Sequence, residues 1–474
     1  KTYKNIQSIK MKYSSTRGKS PSVNFIDVLT SGVAPDGGLY IPDNFPTFSF
    51  DQIQEFENLS YTDLAKNIIH PFLDDFLNES ELEEIIKNAY APFRKKDVVH
   101  LVNDKNLGNI LELFHGPTFA FKDVAMQLLA GLLNKASEKI DKKIVILGAT
   151  SGDTGSAAIE ACKRYKDIDI FILFPNKKIS KVQQKQMTTS NSSNVFPIAI
   201  SGDFDDCQDH VKRLFLEQSD FSQIQFVSIN SINWTRIMAQ SVYFFFTKFK
   251  LNNSNFIASI PSGNFGHAYA GWCAKKMGLN IDGIHIATNK NDILHRLISS
   301  NFYQRDSTQQ SLAPSMDISV ASNFERLLYD IFNKNKAKVS ESMTNFPLNP
   351  INLNNDLGSQ NWSQIKEFFT SSSSSDEEIV QTIIESYKDS RMVVDPHTAT
   401  AINGNKKNTF NSEEIVTFAT AHPGKFPEAI ESHIEDFDSH RPIELINIMD
   451  KEEKFDVLDK DYLSLKDFIQ KKYN

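Results

Sequence analysis

The chain has 474 residues, 40% of them hydrophobic, which is enough material for two or more packed domains. Its formal net charge of −8 argues against nucleic acid as a partner, and no apolar run approaches the roughly 20 residues that span a bilayer. The three cysteines are odd in number and widely spaced, which indicates reduced thiols in a cytoplasmic protein: Cys162, Cys207 and Cys273.

The first hundred residues are predicted to form an N-terminal α/β unit. Short apolar runs alternate there with acidic segments, and the segment 79–90 has the apolar spacing of a helix. We therefore expect short strands and acidic helices over residues 1–100.

Lys122 is the leading candidate for a nucleophile, because it follows an aromatic-rich run over 114–121. The pKa of a free lysine is about 10.4, and burial against Phe119 and Phe121 would lower it by disfavouring the ammonium form. The alternative is an exposed lysine at the start of an amphipathic helix, which is the commoner situation for a lysine considered alone. We favour the buried nucleophile because of two glycine-rich turns further along the chain.

Both glycine-rich turns follow short apolar strands. The strand 143–147 leads into the turn Gly148–Gly155 and then a helix over about 156–165. The strand 256–260 leads into the turn Pro261–His267 and then a helix that Gly278 ends. A strand, a turn and a helix start in this order direct free backbone N–H groups at an anion.

Neither turn has the spacing of a Walker A loop or of a dinucleotide-binding fingerprint. A single glycine turn between a strand and a helix is more often structural than functional. Two such turns, each containing Ser-Gly, together with an aromatic-flanked lysine, favour a shared anionic ligand.

The C-terminal third contains two further segments of interest. The serine tract 370–375, followed by acidic residues, is interpreted as a solvated loop that leads into a helix. A further strand over 415–419 leads into the segment Thr420–Lys425 and a short helical stretch. No pair of histidines shows close metal-ligand spacing, so no metal is expected, and we interpret His115 and His397 as residues that organise turns.

Taken together, these motifs resemble those of threonine synthase, a family of pyridoxal-phosphate enzymes of fold-type II, and specifically its fungal and enterobacterial branch. The ordered blocks that carry the resemblance cover nearly the whole chain: 34–42, 112–118, 148–155, 230–234, 261–266, 287–289, 395–398 and 420–423. The resemblance implies an α/β fold like that of the tryptophan synthase β subunit, with two α/β domains, the cofactor between them and an N-terminal extension. We expect the large domain over 101–139 and 236–474 and the small domain over 140–235.

The resemblance also implies how pyridoxal 5'-phosphate is held. Lys122 would form the Schiff base with the cofactor, and Thr420 would hydrogen-bond the pyridine nitrogen. A neutral hydroxyl at that position leaves the ring nitrogen largely unprotonated. Backbone N–H groups of the second turn would hold the cofactor phosphate, and the residues concerned are Gly263, Asn264, Phe265, Gly266 and His267.

For the substrate, the resemblance points to O-phospho-L-homoserine, which would be converted with water to L-threonine and phosphate. The substrate carboxylate would lie on the first turn, on Ser151, Gly152, Asp153 and Thr154. The distal phosphate would be bound by Asn230, Ser231 and Arg236, with Thr154 and Lys425 as further donors. The alternative for Arg236 is an exposed position on the helix predicted over 234–249.

Two departures from the family pattern stand out: His267 replaces an acidic residue, and Gly424 replaces an alanine before Lys425. Two rival functions stay open, namely another fold-type II eliminase such as a serine or threonine dehydratase, and a catalytically silent binding protein. Asn230, Ser231 and Arg236 discriminate against the eliminase, because an unphosphorylated substrate does not need them. By analogy with the branch, we expect a monomer, with Met11 as a plausible native start.

Overall fold

The computed structural model describes residues 10–150, 152–354 and 358–473. Strands and helices alternate through most of this part of the chain, as predicted for an α/β protein. The strands are β1 (Tyr13–Ser15), β2 (Tyr40–Pro42), β3 (His100–Asp104), β4 (Gly108–Glu112), β5 (Lys143–Ala149), β6 (Ile168–Pro175), β7 (Val195–Ile200), β8 (Ile224–Ser228), β9 (Ile257–Pro261), β10 (Gly283–Thr288), β11 (Phe302–Tyr303), β12 (Ile351–Asn352), β13 (Phe369–Ser373), β14 (Ile415–Ala419) and β15 (Asp456–Leu458).

The helices lie between these strands and around them. They are α1 (Phe25–Ser31), α2 (Phe50–Glu55), α3 (Tyr61–Ile69), α4 (Glu79–Tyr90), α5 (Lys122–Ser137), α6 (Asp153–Cys162), α7 (Lys181–Thr188), α8 (Phe204–Leu216), α9 (Trp234–Lys250), α10 (Gly266–Lys276), α11 (Ile293–Ser300), α12 (Phe324–Ile331), α13 (Lys336–Asn345), α14 (Ser359–Lys366), α15 (Asp376–Ser390), α16 (Pro396–Lys407), α17 (Ile443–Asn447) and α18 (Tyr462–Tyr473). Among the described residues, no helix is both long and apolar enough to cross a membrane.

One sheet has five parallel strands in the order β15-β7-β6-β5-β8. Every residue of β6 is buried, as expected for a parallel strand covered by helices on both faces. The chain returns to this sheet at its C-terminal end, where β15 pairs with β7 and the Tyr473 hydroxyl of α18 donates to Asp169 at 2.7 Å. The prediction that residues 236–474 lie together is therefore wrong for this last segment, because a long-range strand pairing leaves no local signal in the sequence.

The other large sheet has six strands in the order β13-β10-β9-β14-β4-β3, all parallel except β3, which runs antiparallel to β4. The edge strand β13 corrects the prediction that the serine tract is a loop. Two of its hydroxyls contact histidine ring nitrogens at 2.9 Å: Ser371 contacts His295 of α11, and Ser372 contacts His285 of β10. The predicted helix follows as α15, capped by Ser375.

The N-terminal unit packs on both sheets through one continuous apolar core. Its small sheet pairs β1 with β2, and α4 covers 79–90 as predicted. Arg326 of α12 donates to the carbonyl of Tyr40 at 2.8 Å, which attaches this unit to α12. The three cysteines are free and buried, in agreement with the sequence.

The topology collects the candidate residues at the carboxyl ends of four strands. The segment before Lys122 follows β4, the turn 261–267 follows β9, and Thr420 follows β14, all in the six-stranded sheet. The first glycine turn begins at the end of β5 in the five-stranded sheet, where the strand extends to Ala149. Carboxyl ends of parallel strands are the usual position of ligand sites in α/β proteins.

Candidate active site

Lys122 is the first residue of α5 and is only 9% exposed. Its Nζ lies 5.3 Å from the ring centre of Phe121 and 3.4 Å from Asp153 Oδ2. Burial lowers the pKa of Lys122 below the ordinary lysine value, while the charge of Asp153 opposes that shift. The predicted burial of Lys122 is confirmed, and the exposed alternative is wrong.

The loop before Lys122 is attached to the loop that contains Thr420. The N–H of Phe121 donates to the carbonyl of Thr420 at 2.8 Å, and the N–H of His422 donates to the carbonyl of Phe119 at 3.0 Å. Phe119 has a φ of +62°, so the turn stores some backbone strain that these bonds hold in place. Thr420 is consequently fixed beside the segment that carries the lysine, and it is buried.

The second glycine turn forms a cradle at the end of β9. A Cβ atom added to Gly263 would lie 3.0 Å from the Cα of Met316, so the backbone there would have to shift to accommodate a side chain. Helix α10 begins at Gly266, and its first N–H groups have no partner within the helix. Phe265 has a φ of +63°, and the carbonyl of Asn264 accepts from the N–H of Asn323 at 3.0 Å.

The cradle also contains an unsatisfied hydroxyl. The Oγ of Ser262 is buried and has no hydrogen-bond partner in the described part of the protein. Buried polar atoms are rarely left unpaired, so this hydroxyl indicates a ligand that completes the site. Free N–H groups, a hydroxyl and a helix N-terminus together suit a phosphate group.

His267 lies directly behind the cradle in an aromatic environment. Its ring stacks on Phe121 at 5.0 Å and contacts the rings of Tyr243, Phe244 and Phe418. Burial lowers the pKa of His267 to about 3, so the ring is neutral at pH 7. Neither ring nitrogen has a partner among the described residues. The replacement of an acidic residue therefore places a neutral ring at this position.

The first glycine turn is organised differently. The Thr150 hydroxyl accepts from the N–H groups of Gly152 and Gly155, at 2.9 and 3.0 Å. Gly152 has a φ of +142°, and a Cβ there would overlap the Gln183 side chain. Thr154 is half-buried in the first turn of α6, and Ser151 lies outside the described residues.

Asp153 is the electrostatic centre of this turn. Its Oδ1 lies 2.8 Å from Lys425 Nζ and accepts from Gln183 Nε2 at 3.0 Å. Its Oδ2 faces Lys122 and accepts from Ser315 Oγ at 3.3 Å. Burial by itself favours the neutral carboxyl, but the charges of Lys425 and Lys122 hold the pKa of Asp153 well below its usual range.

Arg236 is buried near the start of α9 and is only 3% exposed, so the exposed alternative is wrong. Its Nη1 donates to the carbonyl of Ile229 at 3.1 Å, and its Nε has no partner among the described residues. Burial lowers the pKa of Arg236 to about 10, which still leaves the guanidinium charged at pH 7. Asn230 is exposed and Ser231 half-buried in the loop just before this helix.

Several contributing residues were missed or only partly recognised from the sequence. Ser315 sits in a short 3₁₀ turn that touches Gly263, and its N–H donates to His397 Nε2 at 3.1 Å. The other ring nitrogen of His397 lies 2.7 Å from Asp395 Oδ2, so the ring bridges the two. The prediction that His397 organises a turn is confirmed, whereas Ser315 and Gln183 carried no motif that could have identified them.

The described residues contain no group of three or more His, Cys, Asp or Glu side chains arranged to hold a metal ion. His115, which was also interpreted as a turn organiser, pairs with Glu112 at 2.7 Å.

Three family models match the chain in order. Threonine synthase N terminus matches residues 12–90, pyridoxal-phosphate dependent enzyme matches 110–345, and the threonine synthase C-terminal model matches 398–469. The buried lysine and the phosphate-type cradle lie within the second of these segments. The fold and the site thus define a pyridoxal-phosphate-dependent enzyme of fold-type II.

Individual relatives narrow the class. The threonine synthase of Pseudomonas aeruginosa is 42% identical over 98% of this chain and 99% of its own length, and that of Saccharomyces cerevisiae is 38% identical over 90% of each. The crystal structure of pyridoxal-phosphate-bound threonine synthase from Brucella melitensis superposes with a TM-score of 0.91, at 38% identity, covering 97% of this chain and 99% of that one. The chain belongs to the threonine synthase family.

Proposed function

We propose that the protein converts O-phospho-L-homoserine and water to L-threonine and inorganic phosphate. The observation that carries the substrate assignment is Arg236, a buried guanidinium without a carboxylate partner among the described residues. Burial lowers the pKa of Lys122, and the positive charge of Arg236 lowers it further. A buried, unpaired cation next to the nucleophile is stabilised when an anionic substrate group binds it.

The residues present fit pyridoxal 5'-phosphate. We propose that Lys122 attaches the cofactor and that Thr420 hydrogen-bonds its ring nitrogen. The N–H groups of the turn 261–267, with the unpaired Ser262 hydroxyl beside them, would hold the cofactor phosphate. When bound, the cofactor withdraws electrons from the amino acid and makes its Cα and Cβ protons acidic.

The chain's own groups then perform the proton transfers and the positioning. Lys122, displaced by the substrate amine, takes the proton from Cα and is close enough to serve the neighbouring carbons. Arg236, Asn230 and Ser231 bind the phosphate that leaves when the Cγ–O bond breaks, with Thr154 as a further predicted donor. The N–H and hydroxyl groups of the turn 151–154 receive the substrate carboxylate, and a water oxygen adds at Cβ.

The test is to mix the cofactor-loaded protein with O-phospho-L-homoserine and to measure threonine and phosphate together. Equal release of both, abolished in Lys122→Ala, is the expected result. Phosphate or a keto acid without threonine would identify an eliminase instead. A cofactor spectrum that shifts without any product would identify a binding protein.

A monomer in the cytoplasm is our proposal for the state and location of the enzyme. The three buried free thiols support a reducing compartment, and the branch that the sequence resembles supports the monomer. Light scattering on the eluting protein should give a mass near 53.7 kDa, and a mass near twice that value would contradict the monomer.

A further inference from the structure

Asp153 and Lys425 form an ion pair across the candidate active site. Lys425 Nζ lies 2.8 Å from Asp153 Oδ1, and the two side chains are 0% and 5% exposed. Asp153 begins α6 after β5 of the five-stranded sheet, whereas Lys425 follows β14 of the six-stranded sheet. The pair therefore links the two sheets where their carboxyl ends meet.

Most of the hydrogen-bonding groups of Asp153 and Lys425 are already bound to other protein atoms, so few remain for a ligand. Lys425 Nζ also donates to the carbonyl of Thr118 at 2.9 Å, which uses two of its three N–H groups. The carboxylate of Asp153 receives Lys425 and Gln183 on Oδ1, and Ser315 and Lys122 on Oδ2. One oxygen is thus anchored, and the other faces the lysine that binds the cofactor.

We propose that Asp153 and Lys425 are positioning residues for Lys122, and that they act through its amine and not through direct contact with the substrate. The inference rests on the proposed role of Lys122 in the reaction. It assigns a different role from the substrate contacts predicted for both side chains from the sequence. The negative charge of Asp153 would repel the substrate carboxylate, which agrees with this assignment.

Lys425 gives Asp153 a counter-charge that stays in place when Lys122 changes its protonation state. During the reaction Lys122 must pass between neutral and charged forms, and a buried carboxylate paired with Lys122 alone would lose its counter-charge in the neutral form. Lys425 keeps Asp153 ionised throughout. Burial lowers the pKa of Lys122, the charge of Asp153 raises it, and the positive charges of Arg236 and Lys425 lower it further.

The experiment follows pyridoxal 5'-phosphate attachment to the cofactor-free protein, with no substrate present. The neutral Lys122 amine adds to the cofactor aldehyde carbon, a C–N bond forms and water leaves. The attachment rate therefore rises with pH through the Lys122 pKa, and borohydride trapping with mass spectrometry confirms the attached residue. The midpoint of this pH dependence should fall by about one pH unit in Asp153→Asn and should rise by a smaller amount in Lys425→Met.

Each single variant leaves one buried charge unpaired, so folding is checked first by circular dichroism. The double variant Asp153→Asn/Lys425→Met removes both charges and avoids this problem. Its midpoint should fall between those of the single variants and below that of the wild type, because Asp153 has the stronger influence on Lys122. Lys185→Met is the matched control, since Lys185 is a buried lysine that lies 3.7 Å from a different carboxylate, Glu453.

Unchanged midpoints in the folded variants, together with a raised KM for O-phospho-L-homoserine, would overturn the proposal and make both side chains direct substrate ligands. Failure of the proposed function looks different. In that case, Lys122→Ala would still trap the cofactor covalently, or the wild type would release no threonine.

Discussion

The two glycine-rich turns share one sequence pattern but are built for different tasks. Each follows a parallel strand, contains Ser-Gly and leads into a helix. In the turn after β5, Thr150 already occupies the N–H groups of Gly152 and Gly155, and an ionised aspartate begins the helix. In the turn after β9, the helix begins with uncharged residues next to an unpaired Ser262 hydroxyl.

A strand–glycine–helix pattern therefore indicates a site for the cofactor phosphate only when the N–H groups of the turn are not already bound by a side chain of the same turn. In the first turn, the charge of Asp153 is paired with two lysines from other segments, Lys122 at the start of α5 and Lys425 after β14. The second turn is enclosed by aromatic rings and offers backbone donors. This difference supports our proposal that the second turn holds the cofactor phosphate and that the first turn lies on the substrate side.

Replacement of Lys122 should have the largest effect, because this residue lies between the two turns. In Lys122→Ala the proton transfers lose their base, and threonine formation should fall by at least about 1,000-fold. The second turn should still bind the cofactor without a covalent bond. Equilibrium dialysis with pyridoxal 5'-phosphate measures that binding, and complete loss of binding would show that the cradle alone does not hold the phosphate.

Arg236→Ala tests the substrate side of the site. A substrate phosphate left without its guanidinium should cost about 2–5 kcal/mol, a decrease in kcat/KM of about 30- to several-thousand-fold. The absorbance of the bound cofactor should not change, because the second turn is intact. Arg213→Ala removes a half-exposed arginine of α8 and serves as the control. Near-normal turnover in Arg236→Ala would remove this residue from the phosphate site.

His267→Phe tests the enclosed character of the second turn. The unfolded chain protonates this histidine below about pH 6.5, while the folded protein keeps it neutral down to about pH 3. The native state therefore loses stability as pH falls from 6.5 towards 3, and Phe removes that loss. The variant should gain about 2 kcal/mol relative to the wild type between pH 7 and pH 5.

Urea unfolding at the two pH values measures this difference. His433→Phe is the control, since His433 is exposed in the folded protein. If the difference in unfolding free energy between His267→Phe and the wild type is the same at both pH values, His267 is protonated in the native state and the prediction is wrong.

Gly263→Ala should give the smallest effect, confined to the second turn. The added Cβ meets the backbone of Met316 at 3.0 Å, and the necessary shift should weaken cofactor binding by about tenfold, or about 1.4 kcal/mol. Gly148→Ala is the matched change in the last residues of β5, just before the first turn, where the nearest contact is the flexible end of Ile172 at 3.2 Å. Titration of the two cofactor-free variants with pyridoxal 5'-phosphate should show a lower affinity in Gly263→Ala than in Gly148→Ala. Equal affinities would contradict the proposal that only the second turn holds the cofactor phosphate.

The sequence predicted local elements well because their signals are local. The strand 415–419 and the helix 79–90 have the predicted bounds, and α9 extends the predicted helix by one residue. The helix after the first turn begins three residues earlier than predicted, at Asp153, since the turn itself supplies its first residues. The prediction that the serine tract is a loop was wrong because histidines from other segments of the chain pair with its hydroxyls.

The sequence by itself determined the family, the lysine and both glycine turns, because these depend on residue types at fixed local spacing. Only the tertiary structure decided that Asp153 lies between Lys122 and Lys425, residues separated by hundreds of positions but brought together at the strand ends. The same is true of Ser315 and Gln183, which have no motif and act only through neighbours. Charge state depends on burial and on distances between side chains, and both are set when the two sheets pack.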